Sequence, residues 1–256
     1  MTISDEQVTT SAEKFSQRGI YLLPNLLTTA ALFAGFYAIV AAMKGYFEIA
    51  AIAIFIAMIA DGLDGRVARL TQATSKFGAE YDSLSDMAAF GIAPSLIIYS
   101  WSLAHLGKLG WLAAFLFTAA TALRLARFNI QVSDKRYFQG LPCPAAAGVI
   151  ASVIWMGTGY EIDGKLISVL LAILTIFLAA MMVSNVRYSS FKSIDFKGKV
   201  PFFTIVLAVF GIVAIAWEPA EILFMVLMLY SLSGPCMTLW QISKKRRQRL
   251  TDHKHK

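Results

Sequence analysis

Asp61-Gly-Leu-Asp64-Gly65-Arg-Val-Ala68-Arg69, then eight residues, then Gly78-Ala-Glu-Tyr-Asp82-Ser-Leu-Ser-Asp86: this stretch borders two apolar runs, 46–63 and 80–101. Carboxyl groups are costly beside hydrocarbon, so acids at the edge of apolar helices mark a functional site. On a helix, Asp61 and Asp64 stand i,i+3 and Asp82 and Asp86 stand i,i+4, so each pair shares a face. Four carboxylates brought together cannot all stay ionised and unpaired. Divalent cations are their natural partner, and oxygen-only ligands select Mg²⁺ or Mn²⁺, with Ca²⁺ as a further occupant.

Working outward, apolar runs near the length of a membrane span, about 20 residues, cover 21–43, 46–63, 80–101, 109–128, 144–159, 166–184, 200–217 and 219–241. Hydrophobic residues make up 57% of the chain and charged residues 15%, with a mean hydropathy of +0.63. That balance belongs to a polytopic membrane protein and excludes a soluble globule. The expected fold class is all-α, a transmembrane helix bundle of about eight helices. In this reading Asp61 cuts the second run short, and Pro144 and Gly148 break the fifth. Residues 5–18, with Val8 and Phe15 among flanking charges, read as a short amphipathic helix on the interface. The first twenty residues are polar and the first apolar run exceeds a signal h-region, so no cleavable signal peptide is expected.

Charge sets the orientation. With eight spans, all of the 23 Lys and Arg except Lys44, Lys108 and Lys165 fall on one side. Positive loops face the cytosol, so both termini and the aspartates are expected there, on a cytoplasmic membrane. The net charge of +7 then fits anionic membrane lipids, which the tail from Lys244 meets directly after the last run. Nucleic-acid binding is not expected, because no aromatic interleaving or soluble domain accompanies the basic residues. Cys143 and Cys236 are too few for a disulfide framework. His105, His253 and His255 lack zinc-ligand spacing.

The aspartate stretch resembles at every fixed position the signature D-x2-D-G-x2-A-R-x8-G-x3-D-x3-D of the CDP-alcohol phosphotransferases. That resemblance implies displacement of CMP from a CDP-linked lipid by a hydroxyl, with two divalent cations. It assigns Asp61, Asp64 and Asp82 to the metals, and Asp86 to the general base with contact to the second ion. Gly65, Ala68 and Gly78 would line the cytidine site and Arg69 would meet the diphosphate. Pro24-Asn25-Leu-Leu-Thr28 opens the first span, with proline expected at the helix start; it resembles a P-N-x-x-T element beside the nucleotide pocket, which adds Asn25 and Thr28. Homodimers are common in that family.

Three further segments bear on the acceptor: Arg124-Leu-Ala-Arg127-Phe-Asn129, Gly140-Leu-Pro142-Cys-Pro144-Ala-Ala-Ala-Gly148, and Met182-Val-Ser184-Asn185-Val-Arg187-Tyr188 followed by Lys192. Together with the run from Asp82 to Pro94 they are similar to the membrane-bound members of the family that take L-serine and CDP-diacylglycerol. The expectation is phosphatidylserine synthesis, with the acceptor or lipid headgroup met by Arg124, Arg127, Asn129, Ser184, Arg187 and Lys192. Arginine is suited to bidentate contact with a carboxylate. Glycerol phosphate, inositol phosphate or choline as acceptor, and a cation transporter using the same acids, are the alternatives. A single domain over 1–256 is expected: an amphipathic segment at 1–20, a catalytic core at 20–200, two additional helices at 200–243 and a basic tail at 244–256.

Overall fold

Alanine lines the faces on which the first two long helices meet. Helix α1 (Ile3–Met43) buries Ala31, Ala34, Ala38, Ala41 and Ala42, and α2 (Phe47–Leu70) buries Ala50, Ala53, Ala57 and Ala60. Both sets recur at helical spacing, and small side chains let backbones approach where water supplies no driving force. The computed structural model describes residues 3–130, 137–189 and 202–252.

After α2, the turn at Thr71–Ser75 reverses the chain. Gln72 takes the left-handed conformation there (φ 55°) and the Ala73 N–H donates to Ala68 O at 3.0 Å. Helix α3 (Lys76–Asp86) then starts at the cap Ser75, whose Oγ accepts from Gly78 N at 2.9 Å; this satisfies one of the first-turn donors a helix leaves bare. A π-helical turn (Met87–Ile92) follows Asp86 directly and leads into α4 (Ala93–Trp101). Single π turns inside α-helices recur at functional sites. Gly35 of α1 faces this turn so closely that a Cβ there would lie 2.6 Å from Ala89 Cα.

A 3₁₀ turn (Leu103–Leu106) leads to α5 (Lys108–Ile130), followed by strand β1 (Tyr137–Gln139), α6 (Cys143–Gly159), α7 (Ser168–Val183), strand β2 (Arg187–Ser189), α8 (Phe202–Trp217) and α9 (Pro219–Asp252). Among the described residues the architecture is helical apart from one antiparallel ribbon, in which Phe138 is in register with Tyr188. Phe90, Ile98, Phe117, Ile150, Ile154 and Leu178 fill the centre of the bundle. Among the described residues three helices are long and apolar enough to cross a membrane, Leu22–Met43, Lys108–Ile130 and Pro219–Thr238. Cys143–Gly159 and Ser168–Val183 are shorter apolar helices.

Three sequence expectations are corrected. Helix α2 does not end at Asp61 but runs on to Leu70, because hydrophobicity stops there and helix-forming residues do not. Pro144 and Gly148 do not break α6. Proline stands in its first turn, where the missing N–H has no helical partner to lose, and Gly148 packs against Leu227 and Met58. Nor does Pro24 open the first apolar helix: it lies inside α1, and residues 3–21 continue the same helix.

Candidate functional site

Helices α1, α2 and α3 form one site at their shared end. Asp61, Asp64 and Asp82 each present a carboxylate oxygen within 4.8 Å of the others. The fourth acid, Asp86, stands one turn beyond Asp82 at the end of α3, with Asp61 as a neighbour. The helical spacing of the two pairs thus does what the sequence anticipated: it turns both onto one locus. At such separations each pair of carboxylates repels by about 3 kcal/mol at an effective dielectric of about 20.

The donors around the acids are few. Thr28 Oγ1 donates to Asp64 Oδ2 at 2.6 Å, and the Thr28 hydroxyl also lies 3.1 Å from Pro24 O. Ser85 Oγ donates to the Thr28 carbonyl at 3.0 Å, tying α3 to α1 beneath the acids. Asp82 Oδ1 is buried without a hydrogen-bond partner. A hard, all-oxygen donor set with an orphaned buried carboxylate oxygen fits a divalent cation.

Beside the acids opens a cleft of about 180 Å³. Asn25, Thr28, Gly65, Ala68, Arg69 and Gly78, all singled out in the sequence, line it together with Asp64 and Asp82. Nothing stands within 4 Å of where a Gly65 side chain would begin. A Cβ on Gly78 would sit 3.3 Å from Asn25 Oδ1 and narrow the cleft. Arg69 Nε donates to Gly65 O at 2.8 Å, which holds the guanidinium base on its own helix. Pro24, the first residue of the P-N-x-x-T element, also lines the cleft, as do Ala73, Thr74, Ser75 and Ala79; of these last four, which were not singled out, only Ser75 carried a sequence signal, as a cap three residues before Gly78.

The expected acceptor residues divide. Asn129 Nδ2 donates to Ser83 Oγ at 3.2 Å, which brings the end of α5 beside Asp82. Arg127 Nη2 donates to Asn185 Oδ1 at 2.7 Å and to Gln139 Oε1. Arg124 Nη1 donates to the buried Cys143 Sγ at 3.2 Å, while its Nε is buried without a partner. Ser184 is engaged locally, donating to Met181 O at 2.8 Å and accepting from Val186 N. Lys192 lies outside the described residues, as does the side chain of Arg187. Ser83, Gln139 and Asn185 are the partners sequence reasoning missed, since nothing local announces a contact made across the fold.

Comparison with known proteins adds to this geometry. The family described as CDP-alcohol phosphatidyltransferase matches residues 21–183. The chain is 40% identical over 218 residues to a Helicobacter pylori protein named CDP-diacylglycerol–serine O-phosphatidyltransferase, covering 84% of this chain and 90% of that one. Proteins of the same name are similar in Methanocaldococcus jannaschii, 33% over 179 residues (70% of this chain, 79% of that one), and in Bacillus subtilis, 34% over 170 residues (66% and 91%).

Proposed function

Since the chain belongs to the CDP-alcohol phosphatidyltransferase family, we propose that it transfers the phosphatidyl group of CDP-diacylglycerol to the hydroxyl of L-serine, giving phosphatidylserine and CMP. The observation that carries this reading is the cleft in which Asn25, Thr28, Gly65, Ala68, Arg69 and Gly78 meet the aspartates. The names of the relatives support serine over the other alcohols.

Asp61, Asp64 and Asp82 would hold the divalent cations, Mg²⁺ or Mn²⁺, with Asp86 at the edge of the second. When bound, such ions neutralise charge on the transferring phosphorus and the departing phosphate. The chain's own residues do the rest. The cleft receives the cytidine end, with Gly65 and Gly78 leaving it room, and Arg69 meets the diphosphate with a fork suited to phosphate. Asp86 takes the proton of the serine hydroxyl, whose oxygen bonds to the lipid-side phosphorus as the bond from that phosphorus to the CMP oxygen breaks. Arg124, Arg127 and Asn129 receive the acceptor. Arg187 and Lys192 meet the lipid headgroup.

The basic loops support a site and both termini on the cytosolic side of the cytoplasmic membrane. They support eight spans, with residues 1–20 at the interface, a core over 20–200, two further helices over 200–243 and a tail over 244–256 against anionic lipids. A homodimer follows the habit of the family. A cation transporter would use the acids but leave Gly65, Ala68, Arg69 and Gly78 without work.

The test is CMP release by purified protein from CDP-diacylglycerol with Mn²⁺ or Mg²⁺ across serine, glycerol phosphate, inositol phosphate and choline. Serine-dependent release, lost with chelator, is expected. Release with another alcohol alone would overturn the acceptor, and none from folded protein would overturn the reaction.

A further inference from the structure

Helix α9 lies beyond the family match and carries a socket that the mechanism does not use. Pro235 stands inside the helix and has no N–H, so the carbonyl four residues earlier, Ser231 O, loses its helical donor. Tyr188 of β2 supplies the replacement. Its hydroxyl donates to Ser231 O at 2.9 Å from a wholly buried position. Such repair by a neighbouring element is how helices in membranes tolerate proline. Gly234 clears the way, because a Cβ there would fall 2.4 Å from Tyr188 Cζ and 2.7 Å from Val186 Cγ1. The Tyr230 ring closes the side, tilted 45° to Tyr188 with centroids 5.6 Å apart.

What the socket holds matters more than the contact itself. Tyr188 pairs with Phe138 across the ribbon, and the ribbon is pinned at its base where Gly140 N donates to Val186 O at 2.9 Å and Leu141 N to Met181 O at 3.0 Å. Gly140 has φ +82°, and a Cβ there would strike Met182 O at 2.2 Å, so only glycine makes this corner. From the two chain segments so joined come Gln139 and Asn185, both accepting from Arg127 Nη2. The chain of contacts therefore runs from α9 through Tyr188 and the ribbon to the guanidinium of Arg127.

We propose that Tyr188, seated in the Ser231–Gly234–Pro235 socket of α9, is a positioning residue that fixes Arg127 for the acceptor. This rests on the acceptor-side reading of Arg127 given above. The test compares Tyr188→Phe, Gly234→Ala, Arg127→Gln and the double variant Tyr188→Phe/Pro235→Ala in the full chain. Three quantities are read: KM for serine against KM for CDP-diacylglycerol, thermal stability, and hydrogen–deuterium exchange of peptides spanning 137–141 and 185–189.

Tyr188→Phe is expected to raise the serine KM about three- to tenfold, the worth of one buried hydrogen bond, with the CDP-diacylglycerol KM unchanged and exchange in both peptides faster. Gly234→Ala moves the same readouts further. In the double variant residue 235 regains an N–H for Ser231 O, so stability returns while the serine KM stays raised. A serine KM that recovers with stability would make the socket merely structural and overturn the proposal. Unchanged exchange in Tyr188→Phe and Gly234→Ala would overturn it as well, whatever the activity. Should Arg127→Gln leave the serine KM untouched, the acceptor reading of Arg127 fails and the positioning role with it, while the exchange data still decide whether α9 holds the ribbon.

Discussion

Replacing Thr28 by Val keeps the shape of a buried β-branched side chain and removes one hydroxyl. That hydroxyl has a single proton and two acceptors in reach, Pro24 O at 3.1 Å and Asp64 Oδ2 at 2.6 Å. The shorter contact to the charged acceptor takes it. A hydrogen bond to a charged group is worth about 1.5–3 kcal/mol, and each 1.4 kcal/mol is about tenfold in an equilibrium. Loss of the group that orients a metal-ligating carboxylate weakens metal binding on the order of 10- to 100-fold, the same range. Thr28→Val is therefore expected to raise by about that factor the Mn²⁺ concentration giving half-maximal CMP release. Thr28→Ser, which keeps the donor, should stay near the unmodified protein. Mn²⁺ titrations of activity, with free Mn²⁺ followed by electron paramagnetic resonance, measure both the functional and the binding midpoint. An unshifted midpoint in folded Thr28→Val, or a Ser variant as impaired as the Val variant, would refute the claim that α1 orients Asp64.

Asp86→Asn preserves size and removes the base, so kcat for CMP release should drop by about 10²–10⁴-fold, with the CDP-diacylglycerol KM nearly unchanged; a modest loss in kcat would assign the proton to another group. Arg69→Lys gives up both the Nε–H bond to Gly65 O and the planar fork, and should lower kcat/KM for CDP-diacylglycerol by about tenfold while sparing the serine KM. At Gly35, alanine forces a Cβ to within 2.6 Å of Ala89 Cα, and overpacking of this kind destabilises by about 1–3 kcal/mol, read as a lower Tm in detergent.

The parts legible in the sequence are the parts whose signal is local. Asp61 with Asp64, and Asp82 with Asp86, are fixed by helical spacing alone, and the turn between α2 and α3 is short enough to bring both faces together. Apolar runs likewise mark the helices, since burial against lipid or protein needs no long-range information. Boundaries were less legible. The run of apolar residues stops near Asp61, yet α2 continues to Leu70, because hydrophobicity reports what a helix faces and not where its hydrogen bonds end. Pro24 read as a helix start and proved to be inside α1. The π turn after Asp86 left no trace, and neither did the ribbon: strands of three residues, Tyr137–Gln139 and Arg187–Ser189, carry too little alternation to be seen against their surroundings.

The same division explains why the acid motif names a reaction and leaves the acceptor open. Positioning a reacting phosphorus against metals and a base demands placement within about 0.5 Å, and rigid helices deliver it from one α2–α3 hairpin braced on Thr28. The side proposed for the acceptor is assembled differently. Asn129 reaches Ser83 from the end of α5, and Arg127 is gripped by Gln139 and Asn185 from segments that α6 and α7 separate. Each of these contacts is a side-chain pair between elements distant in the chain, and none of them involves an aspartate. On the proposed reading, the shared chemistry and the choice of alcohol thus have separate physical carriers, and α9, which meets the ribbon through Tyr188, bears on the second.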